Sequence, residues 1–125
     1  MSQERIKIAV PSFSPGGLEA KVNSRFGRCD FFTFVTLEHG EIKEVNIVAN
    51  QGMNAMGGAG PLAAQLVSNE GGTVVAGANY GPNAANALNQ AGIRTFGFPS
   101  NVTNLTVKQL VELYLKNQIP EISGG

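Results

Sequence analysis

With 125 residues, 42% of them hydrophobic, the chain suits one domain with a single core and is too short for two of ordinary size. Nine Lys and Arg balance nine Asp and Glu, so the net charge gives no electrostatic case for binding nucleic acid or an anionic membrane surface. One cysteine excludes an internal disulfide, and the opening MSQERIKIAV is charged where a secretion signal needs an apolar run, so a cytoplasmic protein without a membrane span is expected.

Residues 6–11 read as a short buried strand in which Ile6, Ile8 and Val10 alternate with Lys7 and Ala9. A Ser/Pro/Gly loop over 12–17 follows, and then an aperiodic connection, LEAKVNSRFGRC, in which Lys21, Arg25 and Arg28 gather. Residues 31–37 (FFTFVTL) form a β-branched and aromatic strand. Residues 41–49 alternate less regularly, and the short link Glu38-His39-Gly40 can join only antiparallel neighbours, so the two segments make a hairpin. His39, the sole histidine, is a solvated turn residue rather than a catalyst.

The glycine- and methionine-rich stretch 50–58 is a mobile loop feeding the first of two similar junctions, GGAGPLAAQL (57–66) and NYGPNAANAL (79–88). In each, glycine frees the backbone, proline falls at the expected first helical position, and an alanine-rich helix follows. No Asp or Glu lies between Glu44 and Glu70 or between Glu70 and Glu112, so both helix starts occupy acid-free segments. A helix N-terminus carries unpaired N–H groups and partial positive charge, and two of them facing one crevice suit a small anion. Strands are expected over 73–78 and 93–98, and Thr106 and Gln109 open a last helix with a capping box. Pro120 and the closing Ser-Gly-Gly read as a frayed tail, which sets a single domain over 1–118 and a tail over 119–125. This order gives an α/β fold, a mixed sheet with flanking helices in which an antiparallel hairpin precedes parallel strand-helix units. Ligands of such sheets sit beyond the carboxyl ends of the parallel strands, where both junctions fall.

Residues 58–63 match the dinucleotide fingerprint in form, but they follow a loop, and no acid ends the next strand to hold a ribose. No nucleophile has a base partner, so no enzyme is expected. Cys29, flanked by Arg25 and Arg28, is a candidate thiolate and soft metal ligand, set against a plain buried hydrophobe. Met53 and Met56 are more simply packing residues than thioether ligands.

The segments KIAVPS, SRFGRCDFF, GGAGPLAAQLV and VVAGANYGPNAANAL, with the AGI strand start, together resemble the dinitrogenase iron-molybdenum cofactor biosynthesis family over residues 5–116. The resemblance implies a ribonuclease H-like fold and a small protein that binds or carries iron-molybdenum cofactor or a precursor. Members often have histidine where this chain has Arg25 and Gly57. That departure leaves Arg25, Arg28 and Cys29, with the backbone around Gly58, Gly60, Asn79, Gly81 and Asn83, to hold an anionic metal-sulfur cluster by charge and N–H donors. The cluster and its donor or acceptor proteins are the expected partners. An interaction or regulatory module that has lost cluster binding, and a protein for a phosphorylated metabolite, are the alternatives.

Overall fold

Ile8 and Val10 point to one side of the first strand and Ala9 to the other, and all three are fully buried. That strand must therefore lie inside a sheet covered on both faces. The computed structural model describes residues 5–98 and 104–122; residues 1–4, and 123–125 of the expected tail, lie outside them. In chain order the elements are β1 (Arg5–Ser12), a 3₁₀ turn (Phe26–Arg28), β2 (Phe31–Glu38), β3 (Glu41–Ala49), α1 (Ala59–Asn69), β4 (Val74–Gly77), α2 (Gly81–Gln90), β5 (Arg94–Gly97) and α3 (Val107–Leu115). The sheet order is β3-β2-β1-β4-β5, with β1–β2 and β2–β3 antiparallel and β1–β4 and β4–β5 parallel. The expected mixed sheet is present.

One face packs Val10, Val35, Leu37 and Ala76 under Val107, Leu110 and Val111 of α3. The other packs Phe32, Phe34 and Val75 under Ala63, Ala64 and Val67 of α1 and Ala84 and Leu88 of α2. The β2–β3 hairpin turns through His39 (φ 54) and Gly40 (φ 78), the paired positive φ of a tight primed turn. The irregular alternation of β3 has a local cause. Thr36 pairs with Glu44 but Leu37 pairs with Ile42, which leaves Lys43 as an extra residue and keeps Ile42, Val45 and Ile47 on one face. The capping box of α3 forms as expected: Thr106 Oγ1 accepts from Gln109 N (3.2 Å) and Gln109 Oε1 from Thr106 N (2.9 Å).

Two expectations need correction. Helix α1 begins at Ala59 and α2 at Gly81, so Pro61 is the third and Pro82 the second helical residue rather than the first. Gly58 takes a left-handed φ of 75° and starts the helix early; the first bond back along α1 is Leu62 N to Gly58 O, so the missing Pro61 N–H costs nothing. Residues 119–122, read as frayed tail, are bound instead: Ile119 is buried and Glu121 bridges to Phe96 of β5. Among the described residues no helix is long and apolar enough to cross a membrane.

Candidate functional site

Strands β1 and β4 lie side by side and parallel, but the chain leaves β1 toward β2 and leaves β4 toward β5. Loops departing to opposite sides of a sheet open a crevice at its carboxyl end. Residues 24–28 from the first loop, Ala59 and Gly60 from the start of α1, and Asn79 and Tyr80 from the second loop line a cleft there of about 530 Å³. None of these residues is acidic, and two are arginines.

Glycine makes the close approach of these segments possible. A Cβ on Gly27 would sit 3.1 Å from Gly60 N, and one on Gly60 would sit 2.9 Å from the Ala84 methyl, so the turn, α1 and α2 meet nearly backbone to backbone. Across the cleft, Asn79 Nδ2 donates to Ser24 O (2.8 Å) and ties the two loops together. Asn79 holds φ 52, a left-handed conformation that asparagine tolerates better than most residues. Next in the chain, Tyr80 packs its ring at a tilt against Phe26 and donates its hydroxyl to Phe96 O (2.6 Å); burial raises its pKa above the usual tyrosine value.

The two arginines differ. Arg25 is exposed, and its guanidinium has no partner among the described residues. Arg28 is half-buried and gives Nη1 to Met53 O (2.8 Å) and Ala55 O (2.7 Å), which anchors the 50–58 loop that the sequence suggested was mobile. Asn50 closes the base of that loop by donating Nδ2 to Gly27 O and Cys29 O. Neither α1 nor α2 has a side-chain cap bond, in contrast to α3, and neither has an acid in its first turn.

Cys29 does not become the thiolate that its arginine neighbours suggested. The 3₁₀ turn sends its side chain into the core, fully buried, where the thiol donates to Phe26 O (3.5 Å). Burial pushes its pKa up from 9.0 to about 12, outweighing the hydrogen bonds from Ser12 and Asn50 that act the other way. The thiol is therefore neutral and is not presented to the cleft. Among the described residues no group of three or more His, Cys, Asp or Glu is placed to hold a metal ion.

The cleft thus gathers Arg25, Arg28, Gly60 and Asn79 of the expected set, and leaves out Cys29, Gly58, Gly81 and Asn83. Only one of the two helix starts, that of α1, opens on it; α2 contributes Tyr80, the residue just before its first turn. Gly58 and Gly81 (φ 78) serve as left-handed entry points to their helices. Met56 is fully exposed, and His39 lies at the opposite end of the sheet, beside the Arg5–Glu38 pair. Sequence reasoning missed Ser24, Phe26, Gly27, Ala59 and Tyr80. The Ser-Arg-Phe-Gly-Arg run could have pointed to the first three, but Tyr80 carried no signal beyond its place after a strand.

A mixed α/β sheet with an acid-free, arginine-lined crevice at its switch point defines a small protein of the α/β class. Residues 5–117 match the dinitrogenase iron-molybdenum cofactor family, and the chain belongs to it. An uncharacterised protein of Methanocaldococcus jannaschii is 32% identical over 114 residues, which is 91% of this chain and 89% of that one. The orange protein of Desulfovibrio gigas, solved in its apo form, superposes with a TM-score of 0.83 at 32% identity over 98% of both chains. A NifB-like protein of Thermotoga superposes with a TM-score of 0.76 over 96% of both; at 24% identity that likeness concerns the fold.

Proposed function

We propose that the chain is a non-enzymatic carrier or chaperone for an anionic metal-sulfur cluster, iron-molybdenum cofactor or a precursor, passed between donor and acceptor proteins. The observation that supports this most is the cleft, which combines two arginines, the uncapped start of α1 and no carboxylate. Arg25 supplies a guanidinium with no partner among the described residues, and Arg28 adds charge from a fixed position. The Ala59 and Gly60 N–H groups precede the first intrahelical bond of α1 and supply donors. Because Cys29 is neutral and buried, the cargo is held by charge and hydrogen bonds rather than by a protein-metal bond. Such binding is reversible and salt-sensitive, as suits a carrier: the screening length falls from about 10 Å at 0.1 M salt to about 3 Å at 1 M.

The test is anaerobic titration of the full chain with iron-molybdenum cofactor and with a thiomolybdate cluster, followed by visible absorbance at both salt levels, with phosphate esters as competitors. Saturable binding that weakens with salt and in Arg25→Ala, yet persists in Cys29→Ala, is expected. Loss only in Cys29→Ala, or no saturable binding at low salt, overturns the reading. Binding of phosphate esters in place of clusters would move the site to a phosphorylated metabolite.

A further inference from the structure

β5 is the last strand of the sheet, and its outer edge is paired with the chain's own C-terminal segment. Gly97 N donates to Pro120 O (3.0 Å), Ile122 N donates to Thr95 O (2.8 Å), and Glu121 lies opposite Phe96. The Glu121 carboxylate takes two bonds from Arg94, Nε to Oε2 at 3.0 Å and Nη2 to Oε1 at 2.8 Å. Alternation then places Pro120 and Ile122 on the other side, against Gly97. There they leave space. An apolar cleft of about 420 Å³ lies between them and Ala78, Tyr80 and Phe98, while Ile122 itself is 52% exposed. The segment satisfies the strand edge but underfills the groove beside it.

We infer that the outer edge of β5 is a peptide-docking edge that residues 120–122 occupy in cis, and that an extended segment of a partner protein displaces them. The occupant in place defines the chemistry of the competitor: an extended strand with a carboxylate facing Arg94 and apolar residues on either side of it, the second bulky enough to fill the groove. Strand addition supplies affinity through main-chain bonds, and the alternating side chains supply selectivity. Ile119 is anchored in the core, but beyond it the hold on β5 includes two main-chain bonds and an exposed ion pair, bonds that a short peptide can match. Asn79 and Tyr80 line this groove as well as the arginine cleft, so a partner docked here sits beside the candidate site.

The test uses the full chain and a fluorescein-labelled peptide of residues 117–122, with versions carrying Glu121→Gln or Ile122→Phe. Anisotropy should show the Ile122→Phe peptide binding more tightly than the parent and the Glu121→Gln peptide about fivefold more weakly. A protein whose own segment carries Glu121→Ala and Ile122→Ala should bind the parent peptide about threefold to tenfold more tightly than wild type, because less of its edge is occupied. Amide exchange gives a second readout that does not depend on that variant. In wild type saturated with peptide, the Ile122 N–H should lose protection while the Gly97 N–H keeps it, its acceptor having been replaced. No binding to either protein, equal affinity for the Glu and Gln peptides, or parallel behaviour of the two amides overturns the inference.

Discussion

Replacing Gly60 with alanine sets two effects of opposite sign against each other. In an exposed helix the change stabilises by about 1 kcal/mol, because glycine has the greater backbone freedom to lose. Here the new methyl would lie 2.9 Å from the Ala84 Cβ and 3.4 Å from its Cα and N. Methyl groups prefer about 3.5–4.0 Å, and Ala84 is 1% exposed on the body of α2, so the strain falls on the packing of two helices rather than on a flexible side chain. Overpacking of this kind costs about 1–3 kcal/mol. The net expectation is a loss of about 1 kcal/mol, read as a lower midpoint in urea at unchanged m-value and a melting point about 4 °C lower. Ala84→Gly relieves the clash, so the Gly60→Ala/Ala84→Gly double variant should show a favourable coupling of about 1 kcal/mol or more. A Gly60→Ala protein as stable as wild type, or additive single changes, would refute the close helix contact that shapes this wall of the cleft.

Other consequences are as direct. The folded chain keeps the Cys29 proton from pH 9.0 to about 12 while the unfolded chain sheds it, so this contribution is complete below pH 9 and is lost as pH rises through that window. The slope reaches about 1.4 kcal/mol per pH unit. Urea titrations between pH 8 and 10 should show less alkaline loss in Cys29→Ala than in wild type, and identical slopes would contradict the burial argument. Arg28→Ala removes both donors to the 50–58 loop and should cost about 1–3 kcal/mol while making residues 53–57 the preferred site of limited proteolysis; an unchanged digestion pattern would count against the anchor. Tyr80→Phe leaves Phe96 O without its side-chain donor and should destabilise by about 1–3 kcal/mol, measurable by calorimetry. Thr106→Ala opens the capping box and should cost about 1 kcal/mol in the same measurement.

The elements were legible because their signals are local. Alternation marks β1, the two-residue turn marks the hairpin, and Thr106 with Gln109 marks the start of α3. The acid-free composition of the cleft was also visible as a gap in the sequence, and four of its residues could be named. What failed depended on direction in space. Arg28 and Cys29 are adjacent in the chain, yet the 3₁₀ turn aims one at the carbonyls of a loop and the other into the core, so the guanidinium never reaches the sulfur's surroundings. Pro120 and the glycines near the end resembled a free tail, because pairing with a strand more than twenty residues earlier leaves no periodic mark on four residues. The helix starts shifted by one or two positions for a different reason: a left-handed glycine opens a helix as well as proline does, and the two signals stood side by side.

The Asn79–Ser24 bond joins residues 55 positions apart in sequence. No stretch of chain shorter than residues 24–80 contains all three walls of the cleft. On the ribosome, a nascent chain that has released its first two strands and the hairpin turn still has no site, since the wall around Tyr80 has yet to be made. If the cleft holds cargo as proposed, loading waits until the chain past residue 80 has been made and folded, and shorter or misfolded copies have no complete cleft to fill. The same dependence runs backwards: a ligand that recognises only the assembled cleft, present at a hundred times its dissociation constant, would hold the whole fold together by about 2.7 kcal/mol more. Occupied and empty copies would then differ in lifetime as well as in content, and turnover of the protein would follow the supply of that ligand.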